Sequence, residues 1–563
     1  MNAPHPPDAE KDPVAPPTDW DPTARTRDLA HQLVGWQSET GTTGEALFAD
    51  HLADLLRQLP YFRGNPQDVM LIDSHGMPMT RNVVAIVRGS GPGAVAMAGH
   101  YDTASVANYH ELAALACQPE ALAGALIADL STRALSGQEA RALQDLQSGD
   151  FVPGRAMLDM KSGLAAGIAV LEHFSTNPVR QGNLIFIATP DEERESRGMR
   201  SLRRVLPALL RDRGITIVAG LNLDATSDQG DGDLGRAVYA GTIGKLLPFA
   251  LVVGQSSHAS YPYEGISAQL IGAEILCGLE GNAALANTRC AEPTPPPICL
   301  EARDLRDGYE VTTPERFWLA FNWLFHSESA VDVFTRFHTE VAAAAGRAVA
   351  RFADQAAAFG APLPPAATAG VPVLTLNEVR ARAFSADSTA RARFAALEHE
   401  LAQSDNPLEL TRRLTALLVD AARIKGPAIV IGFAGLYYPP SRLDPHGARD
   451  TALQRAVDAA LATVAHDPDC AVRWRPIFHG ISDMSFFGQH SGQDAFEVRA
   501  NTPATRLIDD PAPDALVFPV VNIGPWGREF HQRLERLHAG YGFTTLPRLL
   551  GVIVQEVLRN LPE

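Results

Sequence analysis

Three stretches decide the fold: AVAMAGHYD (94–102), NLIFIATPDEE (183–193) and ITIVAGLNLD (215–224). Each is a short apolar run that stops abruptly at an imidazole or a carboxylate. Such runs suit strands buried on both faces, as in a parallel sheet covered by helices. NVVAIVRG (82–89) reads the same way. Helical patterns fill the intervals, notably SGLAAGIAVLEHF (162–174) and MRSLRRVLPALLRD (199–212), and upstream DLAHQLVGWQSE and ALFADHLADLLRQL repeat with the helical period. Strands alternating with helices predict an α/β fold with a mainly parallel sheet flanked by helices.

After Gly241 the pattern changes. A strand-like KLLPFALVVG (245–254) leads to SSHASYPYEGISA and a helix at 270–279. AEPTPPP (291–297) is a proline-rich break, and two alanine-rich helical stretches follow at about 330–358 and 386–424, before the strand AIVIGFAG (428–435). The α/β pattern resumes with a helix at 449–465, a strand at 519–524 and a final helix at 546–558. The expected organisation is a Pro- and Asp-rich flexible tail over 1–22, a catalytic domain formed by 23–240 and 441–563, and an inserted α+β domain over 241–440.

Composition narrows the function. Lys and Arg number 48 against 65 Asp and Glu, a net charge of −17 over 563 residues. That excess argues against a nucleic-acid partner, whose phosphates are bound by clustered cations. No apolar run is long enough to span a membrane, and the N-terminus lacks the basic-then-apolar form of a signal peptide. Five scattered cysteines without a CxxC motif (Cys117, Cys277, Cys290, Cys299, Cys470) point to a reducing cytoplasm and against a cysteine metal site.

In open α/β sheets, ligands bind beyond the carboxyl ends of the strands. That rule singles out His100 and Asp102 after the first run, Glu192 and Glu193 after the second, Asp224 after the third, and His531 after PVVNIGPWGREF. Asp159, in GRAMLDMKSG ahead of a helix, joins them. Singly, each has a plain alternative: a hydrogen-bonded His-x-Asp pair, a solvated helix start, an N-cap, one acid of a polar loop. Together, two histidines and three carboxylates suit two zinc-like divalent ions, with one acid shared between them and a second glutamate left as general base.

The strings AGHYDT, GRAMLDMKSG, TPDEERES and LNLD resemble those of the co-catalytic di-zinc peptidases that include aminoacylase-1, carboxypeptidase G and dipeptidase V (peptidase family M20). SSHASYPYEGISA resembles the lid-domain pattern of the same family, and the chain is most similar to its RocB-like branch, named for arginine utilisation. The resemblance implies a phosphorylase/hydrolase-like catalytic domain with an inserted lid and dimerisation domain. Carried over by position, it implies that His100, Asp159 and Asp224 bind one metal and Asp159, Glu193 and His531 the other. Asp102 would orient His100, Glu192 would be the general base, and His258 would reach the substrate carbonyl, commonly from the partner subunit of a homodimer. The final ligand lies between His479 and His531. The strand-end rule and Glu535 four residues on favour His531, leaving His479 on the substrate side. The long segment between Asp102 and Asp159 and the enlarged stretch near 330–424 depart from the family.

The function implied is hydrolysis of an amide bond in a small peptide or N-acylated amino acid by metal-activated water, with zinc, or cobalt or manganese in its place. The rival is a catalytically inactive relative serving as a binding or assembly protein; retention of Glu192 speaks against it.

Overall fold

A computed structural model describes residues 20–560 except 229, 231, 233, 289–291, 402–405, 466–470 and 490–493. Cys290 and Cys470, and residues 1–19 of the expected tail, lie outside the described residues. The tail's end departs from expectation, because Trp20 stacks on His173 with ring centroids 4.3 Å apart.

In chain order the main strands are β1 (Val69–Asp73), β2 (Arg81–Val87), β3 (Ser90–His100), β4 (Gln181–Thr189), β5 (Thr216–Asn222), β6 (Ala237–Tyr239), β7 (Gly244–Leu246), β8 (Pro248–Val253), β9 (Ile298–Asp304), β10 (Arg316–Phe325), β11 (Val373–Thr375), β12 (Ala428–Phe433), β13 (Arg473–Arg475) and β14 (Val520–Asn522). The larger sheet has the order β1-β2-β4-β3-β5-β14-β6-β13. Its centre, β4-β3-β5-β14, is parallel, while β1-β2, β2-β4 and β14-β6 are antiparallel. The parallel centre is what the three decisive stretches form. Their apolar residues are buried on both faces, with Val95, Met97, Leu184 and Phe186 in one core and Ala94, Ala96, Ile185 and Ile187 in the other. Proline at 190 cannot extend the ladder, so β4 stops where the acidic loop begins.

The helices that matter most are α1 (Thr23–Gly35), α2 (Thr43–Arg57), α3 (Ser162–Thr176), α4 (Arg197–Arg211), α5 (Ala268–Leu279), α6 (Ala330–Phe359), α7 (Pro407–Ala421), α8 (Ala448–Val464), α9 (Asp494–Asn501) and α10 (Leu546–Arg559). The apolar sides of α1, α2, α3, α8 and α10 share one core against the larger sheet, and α4 packs on the opposite face. A second sheet, β7-β10-β8-β12-β11 with β9 on β10, is built entirely from residues 244–433. It carries α5 and α6 on one face and α7 with its neighbouring helices on the other.

Two particulars differ from the sequence expectation. The helical stretch expected over 386–424 is three helices, Leu376–Ala386, Ala390–Glu400 and α7. Asp387 accepts the Thr389 N–H in the turn between the first two, and Asn406 accepts from the first N–H groups of α7 beside Pro407, so polar turns interrupt the alanine run. Residues 494–507 follow β13 in the chain, yet Val498, Ala504 and Leu507 pack into the cores of the second sheet. Among the described residues no single helix is long and apolar enough to cross a membrane.

Candidate metal centre

The carboxyl ends of β3, β4 and β5 converge, and the residues predicted at them meet. His100 Nε2 lies 3.2 Å from Asp159 Oδ1 and 3.8 Å from Asp224 Oδ1. His531 Nε2 lies 3.0 Å from Asp159 Oδ2 and 3.1 Å from Glu193 Oε1. Asp159 thus turns one oxygen to each group. Donor atoms of His100, Asp159 and Asp224 all fall within 4.8 Å of one another, as do those of Asp159, Glu193 and His531. Imidazole nitrogen with carboxylate oxygen is the donor chemistry of zinc and its neighbours, and cations would relieve the repulsion among these buried acids, so the residues fit two divalent ions.

Local structure explains the convergence. Asp159 sits in the tight turn Met157–Lys161 that leads into α3. The first turn of α3 approaches the end of β5 so closely that a Cβ on Gly163 would lie 2.5 Å from the Leu223 carbonyl. Only glycine permits that approach, which brings Asp159 beside Asp224. The loop bearing Glu192 and Glu193 begins at Asp191 (φ 67°) and ends at Ser196 (φ 49°), both left-handed. The buried Asp191 carboxylate holds it, accepting from Arg197 Nε at 2.7 Å, Arg197 Nη2 at 2.6 Å and the Arg197 N–H at 3.1 Å.

Asp102 has a different hydrogen-bonding pattern from a direct carboxylate–imidazole pair. His100 Nδ1 is 2.9 Å from the Asp102 main-chain carbonyl and 3.6 Å from its carboxylate. A carbonyl only accepts, so Nδ1 carries the proton and Nε2 is free to face Asp159 and Asp224. The Asp102 carboxylate accepts instead from the N–H groups of Glu192 (3.0 Å) and Glu193 (3.2 Å) and from Thr40 Oγ1 (2.9 Å). Glu192 Oε2 lies 3.9 Å from His100 Nε2.

Crowding of charge perturbs each group. Burial, then the neighbouring Asp159, pushes Asp224 up to about 8. Burial and adjacent acids raise Glu192 well above the carboxylate range, against the pull of His100. Burial opposes ionisation of Asp159 too, but hydrogen bonds from His100 and His531 hold it below the usual range. Burial would lower His531, yet its bonds to Asp159 and Glu193 carry it up to about 11. Opposing shifts of this kind are what close-packed acids and imidazoles without a nearby cation produce.

Two predicted residues stand apart. His258 lies exposed in the loop between β8 and α5, where its Nδ1 accepts the Ser260 N–H at 3.1 Å. His479 is exposed and its Nε2 lies 3.3 Å from Glu292 Oε2. Neither belongs to a candidate metal group.

A buried brace lies beneath the centre, and the sequence hints at it only in Arg155 of GRAMLDMKSG and in Glu535. Arg155 pairs with the Glu535 carboxylate and donates to Asn108 Oδ1 at 2.9 Å and to the Ser105 carbonyl at 3.1 Å. Asn108 in turn donates to the His531 carbonyl at 2.7 Å, and Glu535 Oε1 accepts the Asp159 N–H at 3.5 Å. The brace therefore joins the backbones of the two residues His531 and Asp159. Replacing Arg155 by Met would leave Glu535 buried and unpaired, a loss of about 3–5 kcal/mol. Denaturant unfolding should show it as a lower midpoint at unchanged slope; an unchanged midpoint would remove the brace from the stability argument.

The sequence pattern of Peptidase family M20/M25/M40 matches residues 140–502. The chain is 31% identical to the uncharacterised protein YqjN of Bacillus subtilis over 94% of this chain and 96% of that one. It is 28% identical to protein RocB of the same organism, over 96% of each. Among solved structures, a tripeptidase from Staphylococcus aureus is similar at TM-score 0.52 and 14% identity, covering 96% of this chain and 100% of that one. An M20 family metallo-carboxypeptidase from Sulfolobus solfataricus is similar at TM-score 0.50 and 11% identity, covering 94% and 99%. Fold, metal-binding geometry and sequence agree: the chain belongs to Peptidase family M20/M25/M40, a family of metal-dependent hydrolases, in its RocB-like branch.

Proposed function

We propose that the protein hydrolyses an amide bond of a small peptide or N-acylated amino acid at two divalent metal ions, of which zinc fits the donor set best. The observation that carries this reading is the pair of donor groups that share Asp159, one oxygen to each. His100, Asp159 and Asp224 would hold one ion; Asp159, Glu193 and His531 would hold the other. Bound there, the ions would polarise the substrate carbonyl and make water more acidic. Glu192, beside His100 and outside both donor groups, takes the proton of the attacking water and passes it to the leaving nitrogen. Asp102 orients His100 through its carbonyl and fixes the two glutamates through its carboxylate. Elemental analysis should find about two ions per chain. A screen of dipeptides and N-acetyl and N-carbamoyl amino acids with added zinc, cobalt and manganese then identifies the substrate. Full activity in metal-free protein would overturn the reading, and silence across the screen with metals bound would favour an inactive relative.

His531→Ala should lose one ion and His479→Ala neither, because His479 faces Glu292 and no donor group. Retention of both ions by His531→Ala, with one lost from His479→Ala, would exchange the two assignments.

We further propose that His258 serves a neighbouring active site across a two-fold dimer, since its own loop on the second sheet holds it in solvent. His258→Ala should keep both ions yet lose roughly 10²–10³-fold in turnover, the cost of one oxyanion donor. Mixed with Glu192→Gln, it should regain activity above either parent, because some mixed dimers contain one intact composite site. No recovery after demonstrated subunit exchange would end the shared-site proposal.

A further inference from the structure

The long link between Asp102 and Asp159 supplies no donor to either metal group, yet its polar side chains converge on one hairpin. That hairpin, Trp526–Arg528 paired with Arg536–His538, carries His531 in its connection. Strand Phe151–Pro153 of the link pairs with one side of it, and Thr226–Ser227, two residues after Asp224, with the other. Arg533 donates to Asp129 Oδ2 at 3.1 Å and to Glu111 Oε1 at 3.0 Å, both in the link. Deeper in, Asp145 Oδ2 accepts from Arg536 Nε at 2.9 Å, from Arg536 Nη2 at 2.7 Å and from Arg528 Nη1. Arg536 Nη1 turns to Glu529 Oε2 at 2.9 Å, so two arginines and two acids close a buried, charge-balanced cluster.

Asp145 stands where its own helix calls for an apolar residue. In Gly137–Ser148 the buried positions are Ala142, Asp145 and Leu146, part of the i, i+3, i+4 stripe of an amphipathic helix. A carboxylate there has given up its water and is tolerable only when paired with cations. Both of its cations come from the strands that flank His531. His531 needs such holding more than the other donors do. Its side chain is 42% exposed, against 10% or less for His100, Asp159, Asp224 and Glu193, so packing does little to fix it. Its backbone is left-handed (φ 62°), as is that of Glu529 (φ 59°). Side chains disfavour that region, and it persists where surrounding contacts impose it.

We propose that Asp145 is a positioning residue for the second metal site: through Arg528 and Arg536 it holds the hairpin so that His531 meets Asp159 and Glu193. The inference rests on the two-ion hydrolase reading above and deepens it. The link then has a task of its own, because helices Pro119–Leu130 and Gly137–Ser148 bring Asp129 and Asp145 to that hairpin. The two sites differ accordingly. His100 and Asp224 are set by the ends of the larger sheet, whereas the second site draws one donor from a segment held by ion pairs. Weakening those pairs should empty the second site first.

The test is stepwise loading of the full-length protein, stripped by chelator, with cobalt, read by visible absorption and elemental analysis. Asp145→Asn keeps the size of the side chain and removes the charge that balances the two arginines. The first ion should bind as in the parent and the second about 10- to 100-fold more weakly, the range for removing a support behind a ligand. Leu146→Ala takes packing from the same helix and no charge, so it should lower the thermal midpoint and keep both ions. Arg533→Gln cuts the outer ties to Glu111 and Asp129 and should weaken the second ion by a smaller factor. Parent affinity for both ions in Asp145→Asn, equal weakening of the two, or the same loss in Leu146→Ala would overturn the proposal. Where Asp145→Asn does not fold, Arg533→Gln decides, and an unchanged second ion there overturns it as well. A protein that loads two ions, loses the second in Asp145→Asn and cleaves no amide would refute the hydrolase reading and leave this one standing. Amide cleavage by the parent with two ions, and parent affinity for both in Asp145→Asn, would refute this one alone.

Discussion

Asp159→Ala should strip both metal ions, taking the content from about two per chain toward zero, and turnover should fall below roughly one-thousandth of the parent rate. The expectation follows from the division of its oxygens, Oδ1 toward His100 and Oδ2 toward His531. The other donors each serve one group, so no other single side chain removes a ligand from both. Loss of this carboxylate also unlocks the imidazoles. His531 would keep only Glu193 beside its Nε2, and the repulsion that helps hold Asp224 up to about 8 would disappear. Asp224 should then ionise more readily and still fail to retain an ion, because His100 and one carboxylate do not make a chelate. Asp159→Asn supplies the control. Its amide keeps the shape but offers one oxygen, so it should hold one ion at most. Elemental analysis of the two variants after dialysis distinguishes the cases, and two ions retained by Asp159→Ala would dissolve the shared-ligand proposal.

Much of this centre was legible because a parallel sheet concentrates its chemistry at one end. Where β3, β4 and β5 stop, their apolar runs give way to His100, the acidic pair and Asp224, and the register of the sheet brings those stops together. The long link from Asp102 to Asp159 did not obscure this, since Asp159 is held by the close approach at Gly163 rather than by sequence proximity. What was hidden depends on contacts between distant segments of the chain. Thr40 stands in TGTT, two residues ahead of the cap of α2. Its neighbour Thr42 does cap α2, while Thr40 itself turns to Asp102. The role of Asp102 was legible as a neighbour of His100, but its use of a main-chain carbonyl for that task and its carboxylate for the glutamate loop requires the backbone path. Arg155 stands in GRAMLDMKSG, four residues before Asp159, and Asn108 in the link after Asp102, and only the folded chain sets them under His531 and Asp159. His258 and His479 show the converse. Their local motifs are suggestive, but motif spacing carries no information about distance from a different sheet.

Glu192→Gln should abolish most turnover while leaving metal content near the parent value. Glu192 is outside both donor groups, so the amide should cost no ligand, and it preserves volume and the Glu192 N–H bond to Asp102. What it removes is an acceptor beside His100 that belongs to neither donor group. Loss of a general base costs roughly 10²–10⁴-fold, and the upper end is expected where the neighbouring carboxylates would serve as metal donors. The raised pKa of Glu192 in the bare protein arises from burial and from Asp224, Asp483 and Glu193 around it. Bound cations would counter the repulsive part of that shift and favour the ionised base. Turnover of the parent should accordingly fall on acidification as Glu192 takes up a proton. In Glu192→Gln the residual rate should lose that acid limb, a change that a purely structural defect would not produce. Glu192→Asp tests reach rather than chemistry: it retains the carboxylate but withdraws it by one methylene, and a displacement of about 1 Å at such a site can cost 10²-fold. Half of the parent activity in Glu192→Gln, at full metal content, would mean that the proton goes elsewhere. The buried Asp483, whose carboxylate accepts from Thr189 at 2.7 Å and which is pushed up to about 6 by burial, would be the next residue to replace.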